Sequence, residues 1–515
     1  MANIHIPPGA AGKRLIDWLT LQGYEIPADC GGRGTCGKCR VNVKSGRFLY
    51  YEGSEYPPDG HGQILACRAV CTPAGAEISL PDNGGSGLTT HAARQAAGKE
   101  AGYGVALDIG TTTLAASLVN RATGEVLATR SCLNPQRSYG ADVISRIVAC
   151  KEGGLDKLCR LVREKAAEII RDFGSAYPDA RPDCLCVAGN TTMLHIFCGI
   201  SPEGIGTYPF TPVFTERRDY DGASLGLPVE RVILLPSASA YIGSDITGGV
   251  YVSRMTRHSR PSVLMDIGTN GEIVLFTGRA GGMRLIAASA AAGPALEGAN
   301  ISCGTGGIPG GVSRVNLLKD FPGILTYSTI GDLPPVGICG SGLVDLVAAL
   351  LDTGTIDETG YMEDGDFSLC GTPEARGRHV SESNGRLLQF DKIPHIGLTQ
   401  RDVREFQLAK SAIFSGFSAL LEHAGVSTDD IEKIYIAGGL GYYLNTTSAR
   451  RTGLLPDTDP EKFCVVGNTS LAGAEACLCD SAAVDEISDI AQHSEVLDLN
   501  TLPRFSELFM KNMSF

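Results

Sequence analysis

Tyr103-Gly-Val-Ala-Leu-Asp-Ile-Gly-Thr-Thr-Thr113 and Ser262-Val-Leu-Met-Asp-Ile-Gly-Thr-Asn-Gly271 are each an apolar run that ends in Asp-Ile-Gly-Thr. A short apolar run closed by glycine reads as a buried strand entering a tight turn. The two copies lie roughly 160 residues apart, a domain-sized period rather than that of a solenoid. From Gly102 onward, strand-like runs alternate with helical ones, which favours an α/β fold. The expectation is therefore a duplicated α/β domain.

The turns also suggest a chemistry. A hairpin turn of small residues offers backbone N–H groups and threonine hydroxyls to a phosphate chain. The aspartate ahead of it can hold Mg2+, usually through the ion's waters. One clamp would use Asp108, Gly110, Thr111, Thr112 and Thr113, and the other Asp266, Gly268, Thr269 and Asn270. Alone, either turn also reads as an ordinary strand end; as a pair facing one cleft, they could hold ATP from both sides. A third strand, in Ile431-Glu-Lys-Ile-Tyr-Ile-Ala-Gly-Gly-Leu-Gly441, runs into Gly438 and Gly439, against which an adenine or ribose could lie. Gly340-Ser-Gly-Leu-Val-Asp-Leu-Val-Ala-Ala-Leu350 and the stretch from Thr399 to His423 read as helices. In the latter Val403, Phe406, Ile413, Phe417, Leu420 and Leu421 recur at helical spacing as a core stripe.

Ahead of this region stand four cysteines, Cys30-x5-Cys36-x2-Cys39 and Cys67. An iron–sulfur cluster needs four thiolates, three of them from one tight loop, and Cys30-Gly-Gly-Arg-Gly-Thr-Cys36-Gly-Lys-Cys39 supplies three. Its glycines allow the backbone to approach the sulfurs closely. Cys71 is the rival fourth ligand. Zinc is the chemical alternative, although a zinc ribbon needs a second Cys-x2-Cys arm. Gly32-Arg-Gly-Thr-Cys-Gly-Lys-Cys39 imitates a phosphate-binding loop but ends in Cys, where Mg2+ needs a hydroxyl. Cys184-Leu-Cys186 and Cys477-Leu-Cys479 have poor spacing for a second cluster.

Composition narrows the function classes. The 515 residues carry 44 basic and 57 acidic side chains, a net charge of −13. With no basic run, nucleic acid and an anionic membrane are unexpected partners. Neither a secretory signal nor a run of ~20 apolar residues is visible. Seventeen cysteines, many set singly in apolar stretches, read as reduced thiols of a cytoplasmic protein, in an anaerobic setting. The expected division is 1–83, a polar linker 84–103, then 104–255 and 256–515 as two halves of the larger unit.

The cysteine loop resembles the adrenodoxin-like [2Fe–2S] ferredoxins, which implies a β-grasp domain around an exposed one-electron centre. The Asp-Ile-Gly-Thr pair and the Ala-Gly-Gly strand end resemble the acetate and sugar kinase, Hsp70 and actin superfamily. That implies a duplicated ribonuclease-H-like ATPase fold. Together they resemble the reductive activators of corrinoid proteins, as do Asn134-Pro-Gln-Arg-Ser-Tyr-Gly-Ala-Asp-Val-Ile-Ser-Arg146, Ala188-Gly-Asn-Thr-Thr-Met-Leu-His195 and Ala291-Ala-Gly-Pro-Ala-Leu-Glu-Gly-Ala-Asn300. The resemblance implies ATP-dependent one-electron reduction of a Co(II) corrinoid to Co(I), with a [2Fe–2S] cluster, ATP and Mg2+ as cofactors. The implied partners are the corrinoid protein of a methyltransferase system and an electron donor (ferredoxin, flavodoxin or a reductase); a homodimer is left open. With only about 20 residues of spacer, a separate middle domain is not expected.

Three further residues are expected in the catalytic machinery. Asn190 would line the γ-phosphate or cap a strand end, and Glu297 would orient water or Mg2+ or simply begin a helix. Ser289 is a corrinoid-facing residue by resemblance alone, whereas His195 reads as a core histidine. No Asp-x-His-x-x-Gly occurs, so the corrinoid would belong to the partner. A small-molecule kinase leaves the cysteine loop without a purpose; an ATP-gated redox sensor would bind both groups without reducing cobalt.

Overall fold

The computed structural model describes residues 3–21, 39–50, 53–60, 62–79, 100–140, 142–280, 282, 284–317, 325–363, 366–373, 392–440 and 444–515. Cys30, Cys36, Gly441 and the linker stretch 84–99 lie outside them.

The first sheet contains β1 (Asn3–Ile6), β2 (Arg40–Leu49), β3 (Glu55–Tyr56), β4 (Gln63–Leu65) and β5 (Val70–Ser79). It runs β1-β5-β2-β3, with β4 also paired to β2. Helix α1 (Leu15–Leu21) contributes Leu15, Trp18 and Leu19 to a core shared with Ile6, Val41, Phe48 and Ile64. Burying each such aliphatic side chain is worth about 1.5–3 kcal/mol.

The second sheet is built from β6 (Tyr103–Ile109), β7 (Thr113–Asn120), β8 (Glu125–Leu133), β9 (Pro182–Gly189), β10 (Arg218–Asp221) and β11 (Arg231–Leu234). Its helices are α2 (Val143–Ala149), α3 (Leu155–Ala176), α4 (Thr191–Cys198) and α5 (Ser244–Ser253). Four consecutive residues of β6, Gly104 to Leu107, are buried, because helices cover both faces of a central strand. In α3, Leu158, Val162, Ala166, Ile169, Ile170 and Phe173 are buried along one face.

The third sheet begins with β12 (Ser262–Ile267), β13 (Gly271–Phe276) and β14 (Leu285–Ala290). A separate five-stranded sheet follows: β15 (Gly311–Leu317), β16 (Leu325–Thr329), β17 (Gly337–Ile338), β18 (Asp366–Pro373) and β19 (Lys392–Thr399). The third sheet is then completed by β20 (Lys433–Ala437), β21 (Phe463–Gly467) and β22 (Ser494–Val496). The helices of this part of the chain are α6 (Gly340–Asp352), α7 (Gln400–Ala424), α8 (Thr446–Arg451), α9 (Thr469–Cys479), α10 (Ser481–His493) and α11 (Phe505–Lys511); α7 packs on β13 and β14, α6 on β15, and α11 on α7. As its apolar spacing predicts, α7 buries Val403, Phe406, Ile413, Phe417, Leu420 and Leu421. A capping box between Thr399 and Asp402 starts it, and left-handed Gly425 ends it.

The duplication is visible in the topology. The orders β8-β7-β6-β9-β11 and β14-β13-β12-β20-β21 are the same path, with β10 and β22 added at opposite edges. In each, three antiparallel strands are followed by two parallel ones, the ribonuclease-H-like arrangement. The two sheets are bound by α5 and α9, which cross where Gly248 faces Gly473. A Cβ on Gly473 would stand 2.8 Å from the Gly248 Cα, so that position accepts no side chain without shifting the crossing. Beyond the crossing, α9 packs against β6, β7 and β9 of the second sheet. Among the described residues, no helix is long and apolar enough to cross a membrane.

Candidate nucleotide cleft and cluster site

Both Asp-Ile-Gly-Thr segments form hairpin turns, between β6 and β7 and between β12 and β13, and the fold brings them together. Thr112 Oγ1 donates to Glu297 Oε2 at 2.9 Å, and Thr269 Oγ1 donates to the same oxygen at 2.6 Å. Glu297 ends the single helical turn Pro294–Glu297, which is pressed against the start of α6. A Cβ on Gly340 would collide with the Leu296 carbonyl, so glycine at the head of α6 permits that approach.

The first turn is fixed from behind by the Asn134–Arg146 segment. Asn134 Nδ2 donates to the Gly110 carbonyl at 2.8 Å, its N–H donates to Thr112 O at 2.9 Å, and Arg146 Nη2 donates to Thr111 O. Arg146 is fully buried, its guanidinium shared with Gly140 O and Gln136 Oε1 at 3.0 and 3.2 Å. Because C=O and N–H point oppositely across a trans peptide, the N–H groups of Thr111 and Thr112 are turned away from this buried network. The local sequence thus builds a donor-lined turn.

Carboxylates crowd the cleft floor. Asp108 accepts from Ser470 Oγ at 2.7 Å and from Asn468 Nδ2 at 2.8 Å. Burial raises the Asp108 carboxyl above its usual range, and those two hydrogen bonds pull it back. Asp266 is pushed up to about 7 by burial, then by Asp108 and Glu297. Asp245, in the first turn of α5, is pushed up to about 8 by burial, then by Asp266 and Asp108. Glu272 is also raised by burial and by Asp245 and Asp266, while Ser289 Oγ donates to it at 3.1 Å. Such mutual repulsion is relieved by a cation, so the donor set fits a divalent ion. Among the described residues no three acidic, His or Cys groups converge closely enough to ligate an ion directly.

The remaining expected residues fall as follows. Asn190 caps α4, its Oδ1 accepting from the N–H groups of Thr192 and Met193 at 2.9 and 3.3 Å. Its backbone abuts Gly243 at the head of α5, two residues before Asp245. Gly438, at φ +89°, has no room for a side chain: a Cβ there would stand 2.5 Å from Asp266 Oδ1. Gly439 has open space instead, the condition for a flat ligand against the backbone. His195 is a core residue; Nδ1 donates to Thr191 O at 2.7 Å and Nε2 accepts from the Val213 and Phe214 N–H groups. Asp245, Glu272, Asn468 and Ser470 are the cleft residues that sequence reasoning missed. A signal for the last pair exists: Gly467-Asn-Thr-Ser470 echoes Gly189-Asn-Thr-Thr192.

In the N-terminal sheet, the fully buried thiols of Cys39 and Cys67 approach to 3.1 Å. Cys71 is buried on β5, opposite Phe48. Two converging thiols on a segment start and a β4 exit fit two ligands of a cluster whose other expected ligands, Cys30 and Cys36, precede the described segment. Cys184, Cys186, Cys477 and Cys479 share one apolar cluster between β9 and α9. Burial raises the thiols of Cys184, Cys186 and Cys479, leaving them inert.

Paired sheets of one topology, bound by helices that cross at two glycines and closing on twin Asp-Ile-Gly-Thr turns, define the class of acetate and sugar kinases, Hsp70 and actin. Family models agree: the C-terminal domain of RACo, the ASKHA domain, matches residues 260–515, the RACo middle region matches 103–258, and the 2Fe-2S iron-sulfur cluster binding domain matches 8–72. The chain is 34% identical over 426 residues to the corrinoid activation enzyme RamQ of Eubacterium limosum, covering 80% of this chain and 70% of that one. It is 24% identical to the [Co(II) methylated amine-specific corrinoid protein] reductase of Methanosarcina barkeri, covering 80% and 77%. The solved structure of a reductive activator for corrinoid, iron-sulfur protein aligns over 99% of this chain and 96% of that one, at TM-score 0.70 and 28% identity. The chain belongs to the family of reductive activators of corrinoid proteins. The family's middle region coincides with the second sheet and does not stand between that sheet and the ferredoxin-like domain.

Proposed function

We propose that this protein uses ATP to drive one-electron reduction of a partner's Co(II) corrinoid to Co(I), through a [2Fe–2S] cluster held by Cys30, Cys36, Cys39 and Cys67. The observation that carries this reading is the joining of both phosphate-type turns through Glu297 in a chain that also brings two buried thiols together. When bound, the cluster supplies the electron and Mg2+ neutralises the phosphates. The chain's own residues position and discriminate.

Thr111, Thr112, Thr113, Thr269 and Asn270 would bind the phosphates, Asp108 and Asp266 the waters of Mg2+, and Gly439 the adenosine, with Gly438 supporting Asp266. Glu297 would orient the attacking water, and Asn190 holds the head of α4 at the cleft edge. A corrinoid-facing role for Ser289 requires exchange of its bond to Glu272. We divide the chain into 1–83, a linker 84–103, and nucleotide-binding halves 104–255 and 256–515. Cysteines set in an apolar cluster, such as Cys184, Cys186, Cys477 and Cys479, support a reducing, cytoplasmic setting.

The physics accounts for the ATP. A ferredoxin-type centre lies at roughly −400 mV, and each ~100 mV uphill costs one electron about 2.3 kcal/mol. Preferential binding of one cobalt state can meet that penalty, with ATP turnover driving release. A low-potential ferredoxin, flavodoxin or reductase would refill the cluster. Titration with the Co(II) and methyl-Co(III) forms of a corrinoid protein at fixed ATP tests the coupling. Tighter binding and faster hydrolysis with Co(II) are expected; equal affinities and equal rates would remove the driving force.

A further inference from the structure

We propose that Asn468 and Ser470 are positioning residues for the ATP step, holding the Asp108 carboxylate so that movement of the third sheet sets the first phosphate turn. The proposal rests on the ATPase reading above. Each Asp108 oxygen takes one of the two bonds, Oδ1 from Ser470 and Oδ2 from Asn468, so the carboxylate can neither rotate nor withdraw while both persist. Partners 360 and 362 residues away in sequence make these bonds, and no local constraint replaces them.

A continuous path joins the two aspartates. Gly438 lies against Asp266, with no room for a Cβ, and its N–H donates to Gly467 O at 3.1 Å. Gly467 ends β21, and Asn468 follows directly as the cap of α9, its Oδ1 accepting from the Leu471 N–H at 2.9 Å. Its amide group is then left to donate to Asp108. Asn468 therefore has two separable jobs, a helix cap through its oxygen and a carboxylate clamp through its nitrogen. The tight Gly248–Gly473 contact limits sliding of α9 along α5, so a displacement of β21 is passed to Asp108 rather than absorbed. The other Gly-Asn-Thr turn shows the cap without the clamp: Asn190 Oδ1 caps α4, and Thr192 Oγ1 has no hydrogen-bond partner.

The two jobs can be tested apart. Asn468→Asp keeps a good N-cap but sets a carboxylate against Asp108; Ser470→Ala removes one donor, and Ser470→Thr restores it. Changing groups that orient ligand-bearing residues typically costs 10–100-fold in metal affinity or activity. The measurements are Mg2+-dependent binding of a non-hydrolysable ATP analogue by titration, kcat and KM for ATP, melting temperature and the cluster's EPR signal. The account predicts a 10–100-fold loss in Mg2+-dependent analogue affinity or in kcat for Asn468→Asp and Ser470→Ala, recovery in Ser470→Thr, and unchanged EPR in all. Wild-type Mg2+ dependence and kcat in both Asn468→Asp and Ser470→Ala would overturn it, since a cap alone survives in the first. Loss in Ser470→Thr equal to that in Ser470→Ala would also overturn it. A wild-type protein that hydrolyses no ATP would instead defeat the ATPase reading itself.

Discussion

Thr112 and Thr269 donate to one and the same oxygen, Glu297 Oε2, although they belong to turns of different sheets. A shared acceptor makes Glu297 a tie across the cleft. Phosphate oxygens accept from threonine hydroxyls as carboxylates do, so nucleotide binding and this tie draw on the same two donors. Opening the cleft and loading it are thereby linked through three side chains.

Glu297→Ala should lower ATP hydrolysis about 100-fold or more, the usual cost of losing a positioned proton acceptor. Asp108→Ala and Asp266→Ala should also lose hydrolysis, with cluster content unchanged because the ferredoxin-like sheet has its own core. Phosphate release beside iron and sulfide assays checks all three. Wild-type turnover in Glu297→Ala would remove it from the machinery.

The raised carboxyls give a pH signature. With Asp266 at about 7 and Asp245 at about 8, the folded state binds more protons than the unfolded chain between roughly pH 4 and 8. Their effect without Mg2+ is therefore to lower stability as pH rises through that window. Mg2+ competes with those protons, so it should raise the melting temperature more at pH 8.5 than at pH 6. Equal shifts at the two values would show that the aspartates do not meet the ion.

How far the sequence discloses this site depends on where each partner comes from. Asp108 and Asp266 are legible because an apolar strand and a glycine turn are local features, and β6 and β12 form as those runs predict. The support of the first turn is half legible: the Asn134–Arg146 stretch can be singled out, but not that Arg146 is buried behind Thr111. Asp245 reads as an ordinary early-helix carboxylate until α5 carries it to the other aspartates. Asn468 and Ser470 act only through tertiary contact. Gly438 has the right residue for a reason no linear pattern contains, the nearness of Asp266.

The thiol geometry makes a sharp prediction at the cluster. Cys67, 3.1 Å from Cys39, should be indispensable, so Cys67→Ser abolishes the S = 1/2 EPR signal of the reduced protein. Cys71→Ser should keep the signal, at some cost in stability from a polar group in the core. The reverse pattern would reassign the fourth ligand.

The central claim is that ATP makes a cobalt reduction possible that the cluster alone cannot complete. Visible spectroscopy of a Co(II) corrinoid protein, mixed with this protein and a low-potential electron donor, tests it with and without Mg-ATP. The account predicts loss of the Co(II) band and growth of Co(I) only when ATP is present and hydrolysed, and neither change in Cys67→Ser. Equal Co(I) formation without ATP, or none with it, would contradict the account.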